Sequence, residues 1–115
     1  MNASTPGNVA GESDTKEARL ENPTGVLHLF GHESVPILLD TVLTMPPRRE
    51  FTKTEFADMA GVTRQTVSRY VDLLVDVEIF EEVPNSSPQR YRVADSVVVE
   101  ELFELNSAIG ATGEA

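Results

Sequence analysis

The chain has 115 residues, enough for one modest core plus a tail, and it contains no cysteine, which excludes a disulfide framework, a thiolate metal site and a thiol redox switch. Its 19 acidic residues against 9 basic give a formal net charge of −10, the wrong sign for a surface that binds nucleic acid by bulk attraction. No run of about 18 apolar residues and no charged-then-apolar leader is present, so a soluble, unprocessed, cytoplasmic protein is expected.

The charges are unevenly spread. Residues 1–45 carry 6 acids and 2 bases, residues 46–92 carry 8 acids and 7 bases, and residues 93–115 carry 5 acids and no base. The middle segment is therefore nearly neutral and able to face phosphates. A lysine-poor, strongly acidic surface without cysteine looks like that of a salt-loving organism's proteins, where net charge maintains solubility. High salt suppresses non-specific attraction to DNA, which shifts affinity toward direct readout and shape.

In chain order, residues 1–22 are small, polar and Gly-rich, and are expected to form a disordered N-terminal tail because they cannot offset the entropy of ordering. Val26 to Phe30, VLHLF, is a short apolar patch that fits a helical turn or a brief strand. Ser34 to Met45 places Leu38, Val42 and Met45 at helical spacing, with Pro36 in a first turn where its missing N–H does no harm and Pro46–Pro47 as the stop. Arg48 to Phe51 is too short to classify, though a first edge strand suits its position.

Thr52 to Val71, TKTEFADMAGVTRQTVSRYV, holds two helical patterns that meet at Gly61 with the spacing of a helix-turn-helix. Thr52 and Glu55 have the capping-box spacing, with Phe51 placed to staple against Phe56, and Gly61 tolerates the positive φ at which a helix ends. Thr63 caps the next helix, and Val62 can staple against Val67. Val67, Val71 and Leu74 then form a buried stripe, which turns Arg64, Gln65, Ser68, Arg69 and Asp72 outward. An outward polar face is ordinary for an amphipathic helix. Here small Ala57, Gly61 and apolar Val62 also fit two tightly crossed helices, and the outward residue types can read base edges: Arg on guanine, Gln on adenine, hydroxyls on bases or phosphate.

Ile79 to Val83 alternates, Pro84 to Pro88 forms a turn, and Gln89 to Val93 alternates again, which predicts a β-hairpin. Arginines at 90 and 92 can enter a minor groove, hold phosphate, or blunt an exposed edge. The last helix begins near Asp95 or Ser96 and ends at Gly110. Its Val98, Leu102, Leu105 and Ile109 make a coiled-coil-like seam flanked by Val97, Val99 and Phe103, so one flank can pack on the first core helix and the seam can serve a second copy of the chain. The alternative is that all of it is intramolecular core.

The order of elements resembles the winged helix-turn-helix transcriptional regulators, in detail the small archaeal and haloarchaeal ones. The likeness rests on LFGHESVPILLDTVL (Leu29 to Leu43), FADMAGVTRQTVSRYVDLLVDVEIFEE (Phe56 to Glu82) and RYRVADSVVVEELFELNSAIG (Arg90 to Gly110), and spans about residues 25–110. Such sequences often carry a glycine near Val77 to Glu78, and this chain has none. The resemblance implies a mainly α fold with a small β-hairpin wing, that is, a winged helix-turn-helix with an additional C-terminal helix. Its parts are a tail over 1–22, the winged domain over 23–94, a dimerisation helix over 95–110 and a flexible end over 111–115. It further implies a homodimeric regulator with the helix at about 63–76 in the major groove and the wing at about 84–90 on minor groove or phosphate. The candidate DNA contacts are Thr63, Arg64, Gln65, Thr66, Ser68, Arg69, Lys53 and Arg90; the candidate dimer residues are Val98, Leu102, Leu105 and Ile109. Partners would be double-stranded DNA and a second copy, with the transcription machinery a further candidate and no membrane.

Enzyme readings find little support. His28 and His32 with Glu33 and Asp40 make a weak metal set, no Gly-rich phosphate loop occurs, and Ser34, Ser68 and Ser96 have no triad partners, so no cofactor, metal or catalysis is expected. The rival function is a winged-helix protein–protein adaptor, since this fold hosts both. An adaptor has no need of Arg64, Gln65, Ser68 and Arg69 together.

Overall fold

A computed structural model describes residues 8–113, with side chains from Asp14 onward. The described residues form α1 (Asn8–Glu21), α2 (Gly25–Phe30), α3 (Val35–Thr44), α4 (Lys53–Ala60), α5 (Arg64–Asp76), β1 (Phe80–Glu82), β2 (Tyr91–Val93) and α6 (Val97–Gly113). The chain divides into two compact units, Met1–Val35 and Pro36–Ala115.

In the first unit, α1 replaces the tail without fixed structure that composition suggests for residues 1–22; residues 1–7 lie outside the described residues. The physical reason is local. Lys16, Glu17, Ala18, Arg19, Leu20 and Glu21 are strong helix formers that lose little rotamer freedom in a helix. The composition argument holds for packing, because the side chains of Asp14 to Glu21 are all exposed. The VLHLF patch is a helical turn rather than a strand, capped by Thr24, whose Oγ1 accepts from the Leu27 amide at 3.2 Å.

The second unit is built around an aromatic cluster. Phe51, Phe56 and Phe80 are each no more than 1% exposed, and their ring centroids lie 5.0 to 5.1 Å apart. Tyr91 closes the group at 6.4 Å from Phe51 and 6.3 Å from Phe80. Leu38, Leu39 and Val42 of α3, Val67, Val71 and Leu74 of α5, and Ile79 are also buried. Burial of Tyr91, followed by the charges of Glu82 and Asp72, raises its phenol above the usual tyrosine range, so it stays neutral within the core.

β1 and β2 pair antiparallel with Phe80 opposite Val93, Glu81 opposite Arg92 and Glu82 opposite Tyr91. The expected first edge strand is a single bridge, in which Phe51 and Tyr91 exchange backbone hydrogen bonds of 2.9 and 2.8 Å. This anchors the start of α4 to the middle of the hairpin. α6 continues past the expected end at Gly110 to Gly113, and residues 114–115 lie outside the described residues.

The glycine missing at the α5-to-β1 turn has a specific consequence. Glu78 adopts the left-handed conformation with φ of 65°, its N–H donates to the Val75 carbonyl, and the Ile79 N–H donates to that of Leu74 at 2.9 Å. This is a Schellman termination without glycine. The left-handed backbone costs about 1 kcal/mol for a side-chain-bearing residue. Burial of both Leu74 and Ile79 and a hydrogen bond of 2.6 Å from Ser96 Oγ to the Glu78 carbonyl help hold the turn.

Candidate nucleic-acid interface

The motif is assembled from short-range bonds. Thr52 Oγ1 accepts from the Glu55 amide at 3.2 Å while Glu55 Oε1 accepts from the Thr52 amide at 2.9 Å, which completes the capping box of α4. Gly61, at φ of 74°, ends that helix, and the N–H groups of Gly61 and Val62 both donate to the Ala57 carbonyl. Thr63 then caps α5 by accepting from the Thr66 amide at 3.1 Å. The α4–turn–α5 unit expected from the sequence is present with each of these caps.

Val67, Val71 and Leu74 hold α5 down, while Arg64, Gln65 and Arg69 are exposed and Ser68 is half-buried. The hydroxyls of Thr63 and Thr66 lie 3.0 Å apart and stabilise the helix start, so they are partly committed to each other. Among the described residues no ion pair engages Arg64, Arg69 or Lys53. Their charge is available to a ligand without first breaking a protein contact.

The wing comes close to this helix. Thr52, Lys53 and Thr54 from the start of α4, Arg64 from α5, and Pro88 and Gln89 from the wing line one open concavity of about 210 Å³. Three elements distant in sequence thus present donors to a common space. Gln89 is the residue that the sequence reading omits. Its amide nitrogen lies 2.8 Å from the Arg90 carbonyl, 3.1 Å from that of Val83 and 3.3 Å from Ser86 Oγ, so it braces the wing from inside. Ser86 Oγ adds bonds to the Val83 carbonyl and from the Arg90 amide. Nothing in a two-residue alternation marks Gln89, because its partners are carbonyls of the loop itself.

The two wing arginines differ from a pair of free cations. Arg92 faces its cross-strand partner Glu81, bonds it through Nε, and has Nη1 4.0 Å from Glu50, so it serves the edge of the sheet. Arg90 is placed 3.6 Å from Glu55 Oε1. Both side chains of the Arg90–Glu55 pair remain 40% or more exposed, so the contact is weakly held.

Away from this face, α6 buries Val99 and half-buries Leu102, while Val98, Leu105 and Ile109 are 38%, 51% and 58% exposed. The seam is open along most of its length. His28 and His32 are exposed, with their rings 6.3 Å apart edge to face, and no group of three metal-ligating side chains occurs among the described residues. No described helix is long and apolar enough to cross a membrane.

The helix-turn-helix, the two-stranded hairpin and the closing helix define a winged helix-turn-helix fold with an additional C-terminal helix. The structure is similar to that of a MarR family transcriptional regulator from Silicibacter pomeroyi, with a TM-score of 0.51 and 15% sequence identity, covering 93% of this chain and 79% of that one. At that identity the likeness is one of fold. No protein-family model and no curated protein matches the sequence.

Proposed function

We propose that this protein is a non-enzymatic, cytoplasmic transcriptional regulator that binds specific double-stranded DNA as a homodimer. The observation that carries this reading is the outer face of α5, where Arg64, Gln65 and Arg69 are exposed and neither arginine is held in an ion pair among the described residues, beside a wing that shares a concavity with the helix start. α5 would enter the major groove by its N-terminal end, with Arg64, Gln65, Ser68 and Arg69 on base edges. Thr63, Thr66 and Lys53 would meet phosphate, with the wing lying alongside it. The likeness in fold to a MarR family transcriptional regulator supports the same direction. The acidic body matches a protein working at high salt, where bulk attraction to DNA is screened and direct contacts dominate.

The test is selection of bound duplexes from random DNA at high salt. A discrete sequence with two half-sites about one helical turn apart is expected, and recovery of an unenriched pool would remove the DNA-reading assignment in favour of the adaptor.

Dimerisation through α6 rests on its open seam. Leu105→Glu places a charge where an apolar partner would sit while touching a side chain already half in water, so the fold should be retained. Light scattering should report a dimer for the parent and a monomer for the variant. An unchanged mass would remove α6 as the interface.

A further inference from the structure

We infer that Glu55 holds the wing arginine Arg90 out of DNA contact and so sets a limit on affinity; this rests on the DNA-binding reading above. The inference comes from one oxygen with two duties. Glu55 Oε1 accepts the Thr52 amide at 2.9 Å to complete the α4 cap, and the same oxygen lies 3.6 Å from Arg90 Nη1. The cap fixes the carboxylate in place. Arg90 is fixed from the other side, since its amide donates to Ser86 Oγ at 2.9 Å and its carbonyl accepts from the Val83 amide at 2.9 Å. The two charged ends are therefore brought together by hydrogen-bonded backbone at both positions, from which the Arg90 side chain can swing away.

The pair stands at the edge of the candidate DNA face. Lys53 and Thr54 precede Glu55 in the first turn of α4 and line the concavity that Arg64 and Gln89 share. A DNA backbone brought to that concavity meets a carboxylate within one helical turn of it, and Arg90 already neutralised by that carboxylate. Exposed ion pairs of this kind are weak, yet a phosphate contact by Arg90 would first have to displace Glu55, so that contact gains little net affinity and Arg90 stays with Glu55. Arg64 and Arg69 bear no such restraint among the described residues.

Glu55→Gln separates the two duties, because glutamine completes a capping box as glutamate does but carries no charge. Binding of the selected duplex is to be measured by fluorescence anisotropy across a salt series for the parent, Glu55→Gln, Arg90→Ala and the double variant. Glu55→Gln should tighten binding by about three- to tenfold and steepen the salt dependence by about one phosphate contact. Arg90→Ala alone should change affinity less than twofold, and the double variant should fall back to the parent's affinity. If Glu55→Gln tightens binding equally with and without Arg90, the effect is simple repulsion between carboxylate and phosphate, and the restraint is refuted. It is equally refuted if Arg90→Ala alone weakens binding several-fold, since Arg90 would then already be on DNA, or if Glu55→Gln leaves affinity unchanged or lowers it. Loss of binding by the parent itself would instead remove the underlying DNA-binding reading.

Discussion

Arg64→Ala and Arg69→Ala are each expected to weaken binding to the cognate duplex by about 1 to 3 kcal/mol, roughly 5- to 150-fold, with no loss of fold. The size follows from what each guanidinium offers. A bidentate contact to a guanine edge discriminates by that amount because two donors meet two acceptors that a wrong base does not present. The absence of a folding penalty follows from the structure: both residues are exposed, neither is in an ion pair among the described residues, and alanine has at least the helix propensity of arginine. Anisotropy titrations at the protein's working salt, with circular dichroism on the same samples, separate the two effects. Parent-like affinity in both variants would sink the reading helix. The two positions are five residues apart along α5, so the double variant should lose nearly the sum of the single losses if they read separate base pairs.

Phe80→Ala should lower stability by about 3 to 5 kcal/mol. Phe80 is 1% exposed, begins β1, and stands 5.0 Å from Phe51, 5.1 Å from Phe56 and 6.3 Å from Tyr91 by ring centroid. Truncation removes the ring's transfer energy and leaves a cavity walled by three other aromatic side chains that cannot collapse together. A domain of this size has a total stability of only about 5 to 15 kcal/mol, so the loss would leave a large unfolded fraction in mild denaturant. Urea unfolding should show a lower midpoint with an unchanged slope, and Phe80→Leu should recover much of the loss. A midpoint within error of the parent would mean that this cluster is not the core of the unit. The same variant would bear on function indirectly, because the cluster ties the start of α4 to the hairpin and so sets the distance between Lys53 and the wing.

How much was legible in the sequence depends on how far apart the interacting groups are. The Thr52–Glu55 box, the Gly61 break, the Thr63 cap and the Phe51–Phe56 staple all join residues three to five positions apart, where helix geometry alone dictates who meets whom. The buried stripe of α5 was legible for the same reason. By contrast, composition suggests a disordered N-terminal tail where residues 8–21 form α1, because composition reports whether a segment can pack, whereas Lys16 to Glu21 need only local propensity to be helical. The α5-to-β1 turn was foreseen in topology but not in chemistry, since glutamate at φ of 65° is disfavoured by itself and is held by Leu74, Ile79 and Ser96.

The sequence by itself determined the helix-turn-helix, its caps, the hairpin and the apolar helix that closes the chain, because each is encoded in neighbours within a turn or a strand. Only the tertiary structure decided which cations are free. Lys53, Arg64, Arg69, Arg90 and Arg92 look alike in sequence, yet antiparallel register sets Arg92 against Glu81, and the bridge from Phe51 to Tyr91 brings Arg90 to Glu55. Charge pairing across elements depends on how the backbone is folded back, and that distance is absent from any local pattern.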